Sequence, residues 1–488
     1  MNVALVGSGY VGLVAGACFA ELGHKVVLVD NDPRKLVALR RGECPIHERF
    51  LPELLERHRD GRLEFTDDLQ EAVRRSQIIF IAVGTPPKED GDADLSYVES
   101  VARGIAGAID SYKVIVEKST VPVYTNSWIQ RIMLLNGAPE HLFSVASNPE
   151  FLREGTAVTD FLYPDRIVVG ADSDRCSAMV EQAYKPLVDG SYYGHPDAIP
   201  GPTEAPAKAR LIRTSAKSAE LIKHATNAFL AMKISFVNAV ACVCEAVGAD
   251  VEQVCVGIGS DSRIGHRFLS PGVGYGGSCF PKDLLAFRSV AKENGCQFGL
   301  LDETVRVNEE QRFRFLKKVR KALWTLRGKK LGVLGLAFKN GTDDIRESPA
   351  INIVKELLKE ECQIVAYDPA AMGRASEVLR NAAITFVNDP YEALTGADAC
   401  LVLTEWEDFA ALDLVRLKNL LRYPIVIDGR NLFKPSQMEA AGLNYYSVGR
   451  PDVLVGRAEP PKIVKFEKIE AIETIETKDV AEEDTEAA

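Results

Sequence analysis

The sequence predicts an α/β fold: two Rossmann-like doubly wound domains joined by a long central helix. Three observations predict it. Apolar strand-like runs alternate with helical patterns over residues 1 to about 215, a long apolar helical pattern follows, and a second strand–glycine turn opens at Lys330. The early runs are Val3–Val6, Val26–Asp30, Ile78–Val83, Val114–Glu117, Phe143–Ser147 and Ile167–Gly170. Strands alternating with helices are the signature of parallel βαβ units.

Residues 190–210 are rich in proline and glycine and read as an extended surface loop or linker. From Ser218 to Val247, Leu221, Ala225, Ala228, Leu230, Ile234, Val237, Val240 and Val243 recur near helical spacing. A helix apolar around most of its circumference belongs between domains or subunits. More helix is expected to about Arg327. The runs Lys330–Phe338, Gln363–Tyr367, Ala399–Leu403 and Ile425–Asp428 then imply a second α/β domain. The expected divisions are a first Rossmann-like domain at 1–215, a central helical domain at 216–325, a second Rossmann-like domain at 326–458 and a tail at 459–488. The tail holds ten acidic and four basic side chains, leaving a charge of −6, and is expected to be disordered.

The chain has 488 residues, too many for one ordinary core. With 46% hydrophobic and 26% charged residues, it has the balance of a soluble globular protein. A net charge of −11 argues against nucleic acid or an anionic membrane as partner. Anionic ligands must then be held by local basic groups or helix N-termini. Met1 runs straight into a strand pattern, with no secretory signal, and Gly7, Gly9, Gly12 and Gly16 break the apolar stretch Leu5–Ala20. The expected location is therefore the cytoplasm, with the ten scattered cysteines reduced. Cys242-x-Cys244 has helical spacing and not that of a metal knuckle, so no metal is expected.

Gly7-x-Gly9-x-x-Gly12 lies directly after the first strand and opens a helix, and Asp30 ends the second strand. Gly7 permits the tight turn, Gly9 lets backbone approach a pyrophosphate, and Gly12 lets helix pack on strand. Asp30 suits ribose hydroxyls and would repel a 2′-phosphate, which favours NAD over NADP. Lys35 lies over the adenosine or is simply solvated. Gly84-Thr85-Pro86 and Ser119-Thr120-Val121-Pro122 each end a strand, where ligands of such folds collect, although each alone reads equally as a plain turn.

In Gly272-Val-Gly-Tyr-Gly-Gly-Ser-Cys279-Phe-Pro-Lys-Asp283, a glycine-rich loop delivers a cysteine just before Pro281. That pattern places the thiol at a helix N-terminus, where its pKa is expected to fall. Asp283 near the helix start suits a proton carrier or a water anchor. A nucleophilic thiol lets a dehydrogenase go past the aldehyde, through a thioester that is then hydrolysed. The other nine cysteines read as structural thiols.

Together these segments resemble the UDP-glucose/GDP-mannose dehydrogenase family, from Met1 to about Pro451. The matching motifs include Val83-Gly-Thr-Pro86, Asn148-Pro-Glu-Phe-Leu-Arg-Glu154, Lys223-x-x-x-Asn227, Arg263-Ile-Gly, Phe268-Leu269, Gly276-Gly-Ser-Cys-Phe-Pro-Lys-Asp283 and Ala337-Phe-Lys339. The resemblance implies four-electron oxidation of UDP-glucose to UDP-glucuronate, with Cys279 as nucleophile. Lys223 and Asn227, one helical turn apart, would donate to an oxyanion. Glu154, Thr120 and Asp283 would position water or act as base, and Glu150 would support the site or cap a helix. NAD would meet Gly7, Gly9, Tyr10, Val11, Gly12, Asp30, Lys35, Thr85, Thr120, Glu154, Lys282 and Arg346. The nucleotide sugar would meet Phe151, Leu152, Lys223, Asn227, Phe268, Leu269, Tyr275, Gly276, Lys339 and Arg430. Arg263 would reach the site of a neighbouring subunit in a homodimer or larger homo-oligomer. Each arginine reads equally as a surface ion pair. UDP-N-acetylhexosamine or GDP-mannose would use the same catalytic set, and a non-catalytic nucleotide-sugar-binding paralogue is the alternative from another class.

Overall fold

The computed structural model describes residues 1–86, 88, 93–204 and 207–456. The acidic tail anticipated at 459–488 lies outside the described residues. Two sheets dominate. The first contains β1 (Asn2–Val6), β2 (Lys25–Val29), β3 (Leu63–Thr66), β4 (Ile78–Ile81), β5 (Lys113–Glu117), β6 (Phe143–Ser147), β7 (Arg166–Ala171) and β8 (Arg210–Thr214). Their order is β3-β2-β1-β4-β5-β6-β7-β8, and β6 with β7 is its one antiparallel pairing. The second contains β9 (Lys330–Leu334), β10 (Gln363–Tyr367), β11 (Ile384–Phe386), β12 (Ala399–Val402), β13 (Ile425–Asp428) and β14 (Asn444–Tyr446). It is parallel throughout, in the order β11-β10-β9-β12-β13-β14.

Both sheets start at a central strand, build outward to one edge, then cross back to build the other. This places a crevice between the carboxyl ends of β1 and β4, and of β9 and β12, where such sheets bind ligands. The central strands are buried on both faces, which is why they read as continuous apolar runs. Each sheet therefore has two cores. In the first, one holds Leu5, Leu28 and Phe80 and the other Val6, Val29 and Ile79.

The central helix runs from Ala216 to Val247. The Ser215 hydroxyl caps its start by accepting from the Ser218 amide at 3.2 Å, and Gly248 ends it in the left-handed region at φ 78°. It packs on β7 and on the helices Phe280–Glu293 and Gly299–Leu323. Its mean hydropathy over an 18-residue window is 1.7, enough in length and composition to cross a membrane. Here, however, it carries Glu220, Lys223, His224 and Asn227 buried inside the fold. Residues 190–210 differ from the expected open linker. Tyr192, Ile199 and Ala209 enter the first core, and the Tyr163 hydroxyl donates to the Ile199 carbonyl at 2.6 Å. Aromatic and aliphatic side chains within that stretch outweigh its prolines and glycines.

Candidate active site

At the end of β1, Gly7 takes φ 100°, and a Cβ there would sit 2.7 Å from the Ala82 carbonyl oxygen. A Cβ on Gly12 would come within 1.8 Å of the Gly7 oxygen, so only glycine lets this helix start against the turn. A Cβ on Gly9 would meet nothing within 4 Å, which leaves open the backbone face that a pyrophosphate needs. The helix Tyr10–Glu21 has no side-chain cap, so its first amides remain available to an anion. Asp30 accepts from the Ser8 amide and hydroxyl at 2.8 and 2.6 Å and from Lys35 Nζ at 3.1 Å. Burial opposes ionisation of Asp30, but the Ser8, Asp32 and Lys35 hydrogen bonds hold its pKa down to about 2. These residues fit an adenosine ribose and pyrophosphate. Val11 lies in the first helical turn. The Tyr10 hydroxyl turns aside to Glu48, whose carboxylate also accepts from the Gly155 amide at 2.8 Å.

A second set converges on Cys279. The cysteine is the N-terminal cap residue of helix Phe280–Glu293, with Pro281 in its first turn. The expected depression of its pKa is not found. Burial pushes the thiol up to about 11, and Glu150 and Asp283 add to burial against the opposing Lys223 charge. Lys223 Nζ donates to Glu150 twice, to the carbonyl and to Oε1, both at 2.7 Å. Burial alone would lower the Lys223 pKa, but Glu150, Asp283 and Cys279 hold it above its ordinary value. Asn227 Nδ2 donates to Asp283 Oδ2 at 2.5 Å. An ammonium has three donors and a side-chain amide two. Among the described residues, one proton on each of Lys223 and Asn227 thus stays uncommitted. Asp283 Oδ1 is also buried without a hydrogen-bond partner among these residues, a polar atom that awaits a ligand or water.

Glu154 closes the site. Its carboxylate accepts from Ser278 Oγ at 3.2 Å, Thr342 Oγ1 at 3.4 Å and Arg346 at 3.4 Å. Burial and the neighbouring Asp344 carboxylate push its pKa up to about 7, against the Arg346 charge. Arg346 is held mainly by Asp344, at 2.8 Å. Lys282 donates to Thr85 Oγ1 at 3.1 Å, and Thr85 donates to the Thr120 carbonyl at 2.8 Å, which draws the ends of β4 and β5 to the thiol's helix.

The remaining residues divide. Phe151 is stacked beneath Arg166 at 3.8 Å, and Leu152 packs on the first core while its amide donates to Glu150 at 2.5 Å. Phe268, at φ 66°, faces the Phe280 ring at 6.2 Å, and Tyr275 meets the same ring edge-on at 5.9 Å. Gly276 is needed because a Cβ there would lie 2.3 Å from the Glu347 carbonyl oxygen. Lys339 is half-buried, and burial lowers its pKa. Leu269 instead joins the small core of Val237, Ala241 and Val251. Arg430 donates to the carbonyls of Leu403, Phe338 and Gly274 at 2.9, 2.9 and 3.3 Å, tying the second sheet to the glycine-rich loop. Arg263 is 87% exposed and pairs with Asp261, away from the thiol's neighbours. Sequence reasoning ranked Glu150 low and missed Ser278, Thr342 and Asp344. Ser278 adjoins Cys279 and was open to a reading from position alone, whereas Thr342 and Asp344 meet the site only through folding.

Three matches then span most of the chain. The NAD binding domain of the UDP-glucose/GDP-mannose dehydrogenase family matches residues 1–188, its central domain 217–310 and its UDP binding domain 332–435. The chain belongs to the UDP-glucose/GDP-mannose dehydrogenase family. It is 44% identical over 453 residues to the UDP-glucose 6-dehydrogenase TuaD of Bacillus subtilis strain 168, covering 93% of this chain and 94% of that protein. It is 45% identical over 457 residues to the UDP-glucose 6-dehydrogenase of Rhizobium meliloti strain 1021, covering 93% and 100%. Among solved structures, a UDP-glucose dehydrogenase from the archaeon Pyrobaculum islandicum matches with a TM-score of 0.82 and 37% identity, over 92% of this chain and 98% of that one. A UDP-D-ManNAc dehydrogenase from Pyrococcus horikoshii matches at 0.78 and 28%, over 93% and 100%. As a member of this family, the protein is an oxidoreductase that uses NAD as its cofactor.

Proposed function

We propose that the protein oxidises UDP-glucose to UDP-glucuronate by removing two hydrides from C6 of the sugar, through a thioester on Cys279. The observation that carries this reading is the convergence of Lys223–Glu150, Asn227–Asp283 and Glu154 around one half-buried thiol. When bound, NAD supplies the hydride acceptor, twice per sugar. The chain's own residues do the rest. The spare protons of Lys223 and Asn227 donate to the C6 oxygen as it gains charge. Cys279 adds to the aldehyde and holds it, so no free aldehyde escapes. With a pKa near the working pH, Glu154 takes a proton from the water that cleaves the thioester, and the open Asp283 oxygen orients that water. The names of the relatives support UDP-glucose over other sugars.

We also propose that two copies pair through the central helix. Phe229, Phe236, Val243 and Val247 form an outward apolar stripe, 57, 57, 61 and 71% exposed. Arg263 then serves the neighbouring copy's site.

NADH formation over a panel of nucleotide sugars tests the reaction. Two NADH per UDP-glucose, and none of the second with Cys279→Ala, are expected. Preference for UDP-N-acetylhexosamine or GDP-mannose would overturn the substrate, and one NADH with free aldehyde would overturn the thioester.

A further inference from the structure

We propose that Ser278 is a proton relay, passing the Cys279 thiol proton to Glu154 as the sulfur adds to the aldehyde. Ser278 Oγ lies 3.5 Å from Cys279 Sγ and 3.2 Å from Glu154 Oε1. A hydroxyl has one donor and two acceptor positions, so it can accept from S–H while donating to the carboxylate. The problem it solves is physical. The thiol is held in its protonated form by burial, and neither Glu150 nor Asp283 is hydrogen-bonded to the sulfur. Glu150 is tied to Lys223 by an ion pair at 2.7 Å, and Asp283 holds Asn227. Glu154 is the remaining acid–base group with a hydrogen-bonded path to the sulfur.

The step is redox-neutral. The S–H bond breaks and its proton goes to Ser278 Oγ, while the serine O–H proton goes to Glu154 Oε1, which releases it to solvent before it acts on the hydrolytic water. The sulfur forms its bond to C6 and the C=O electron pair moves onto oxygen, where Lys223 and Asn227 donate. The charged and titratable groups around Glu154 are Asp344, Arg346, Lys339 and Tyr10; those around the thiol are Glu150, Lys223, Asp283 and Arg346. Asp344 and burial keep Glu154 basic enough to accept a proton near neutrality.

The proposal rests on the thioester reading, and rapid-mixing kinetics separate the two. With UDP-glucose and NAD, the first NADH should form at the wild-type rate in Ser278→Ala, while the second slows about 100-fold, the scale of a lost acid–base group. The fall of the second phase below pH 7 should disappear with it, as in Glu154→Gln, and Ser278→Thr should restore both rate and pH dependence. An unchanged second phase in Ser278→Ala, or equal slowing of both phases, overturns the relay. A second NADH from Cys279→Ala would instead overturn the thioester reading.

Discussion

Replacing Glu150 by Gln removes one charge from a pair in which both side chains are 5% exposed. The shape stays and the amide oxygen still accepts from Lys223, but the amide nitrogen cannot accept from Leu152 N–H and the buried ammonium loses its counter-charge. Breaking such a pair costs about 3–5 kcal/mol when the survivor stays charged. Lys223 has an escape, which is to shed its proton. From a reference pKa of about 10.4, that costs at most about 4.6 kcal/mol at pH 7 and about 1.9 kcal/mol at pH 9. In the wild type, the pair holds the folded pKa of Lys223 above its unfolded value. Its contribution is therefore complete below about pH 10 and is lost only as pH rises through the folded pKa. In the variant the folded pKa falls below the unfolded one, so the unfolded chain binds the extra proton and stability rises with pH. The charge contribution to the deficit should be about 3–4.6 kcal/mol at pH 7 and no more than about 1.9 kcal/mol at pH 9, while the lost Leu152 bond adds the same amount at both. Lys118, buried nearby and also drawing on Glu150, drifts the same way. Urea unfolding of both proteins without ligands, followed by circular dichroism at the two pH values, measures the difference at the first transition. Equal stability at pH 7, or the same deficit at both, would refute the reasoning.

Other outcomes follow from the same geometry. Asp30→Ala should weaken NAD binding about 10- to 100-fold by calorimetry while sparing UDP-glucose, as expected for lost hydrogen bonds to a carboxylate; equal loss of both contradicts the assignment. Because the unliganded thiol is pushed up to about 11, its alkylation should quicken about tenfold per pH unit between 7 and 10, and a plateau near pH 7 would contradict that. Phe236→Asp places a charge in the middle of the apolar stripe and should shift the mass found by light scattering from dimer to monomer; an unchanged mass means the stripe is not the interface.

How much of this was legible in the sequence depended on burial. The strands it announced are the ten interior ones, most of them buried and written as apolar runs. Those it did not, β3, β8, β11 and β14, are the four sheet edges. Leu63-Glu-Phe-Thr66 and Asn444-Tyr-Tyr446 are four and three residues long and mix polar with apolar positions, so they carry no run to read. Gly7 and Gly12 were legible because a tight turn and a close helix contact each demand glycine, and Asp30 because it ends the next strand at the spacing such a turn sets. Lys223 and Asn227 were visible as a pair because helical spacing puts them on one face. That Glu150 and Asp283 pair with them was not. Glu150 and Asp283 reach them from segments 73 and 56 residues away, and Asp344 acts on Glu154 from the second sheet's side. The helix-terminus argument for Cys279 was sound about position and wrong about pKa, since sequence shows the cap but not how deeply the sulfur is buried.

The central claim is that Cys279 carries the sugar between two hydride removals. Acid-quenching the enzyme during turnover of UDP-glucose and NAD, then weighing the peptide that contains Cys279, tests it most directly. The account expects that peptide to gain the mass of the nucleotide-uronyl group in thioester linkage, lost on treatment with hydroxylamine. A Cys279 peptide that stays unmodified and fully alkylatable throughout turnover, while two NADH still form, would contradict it.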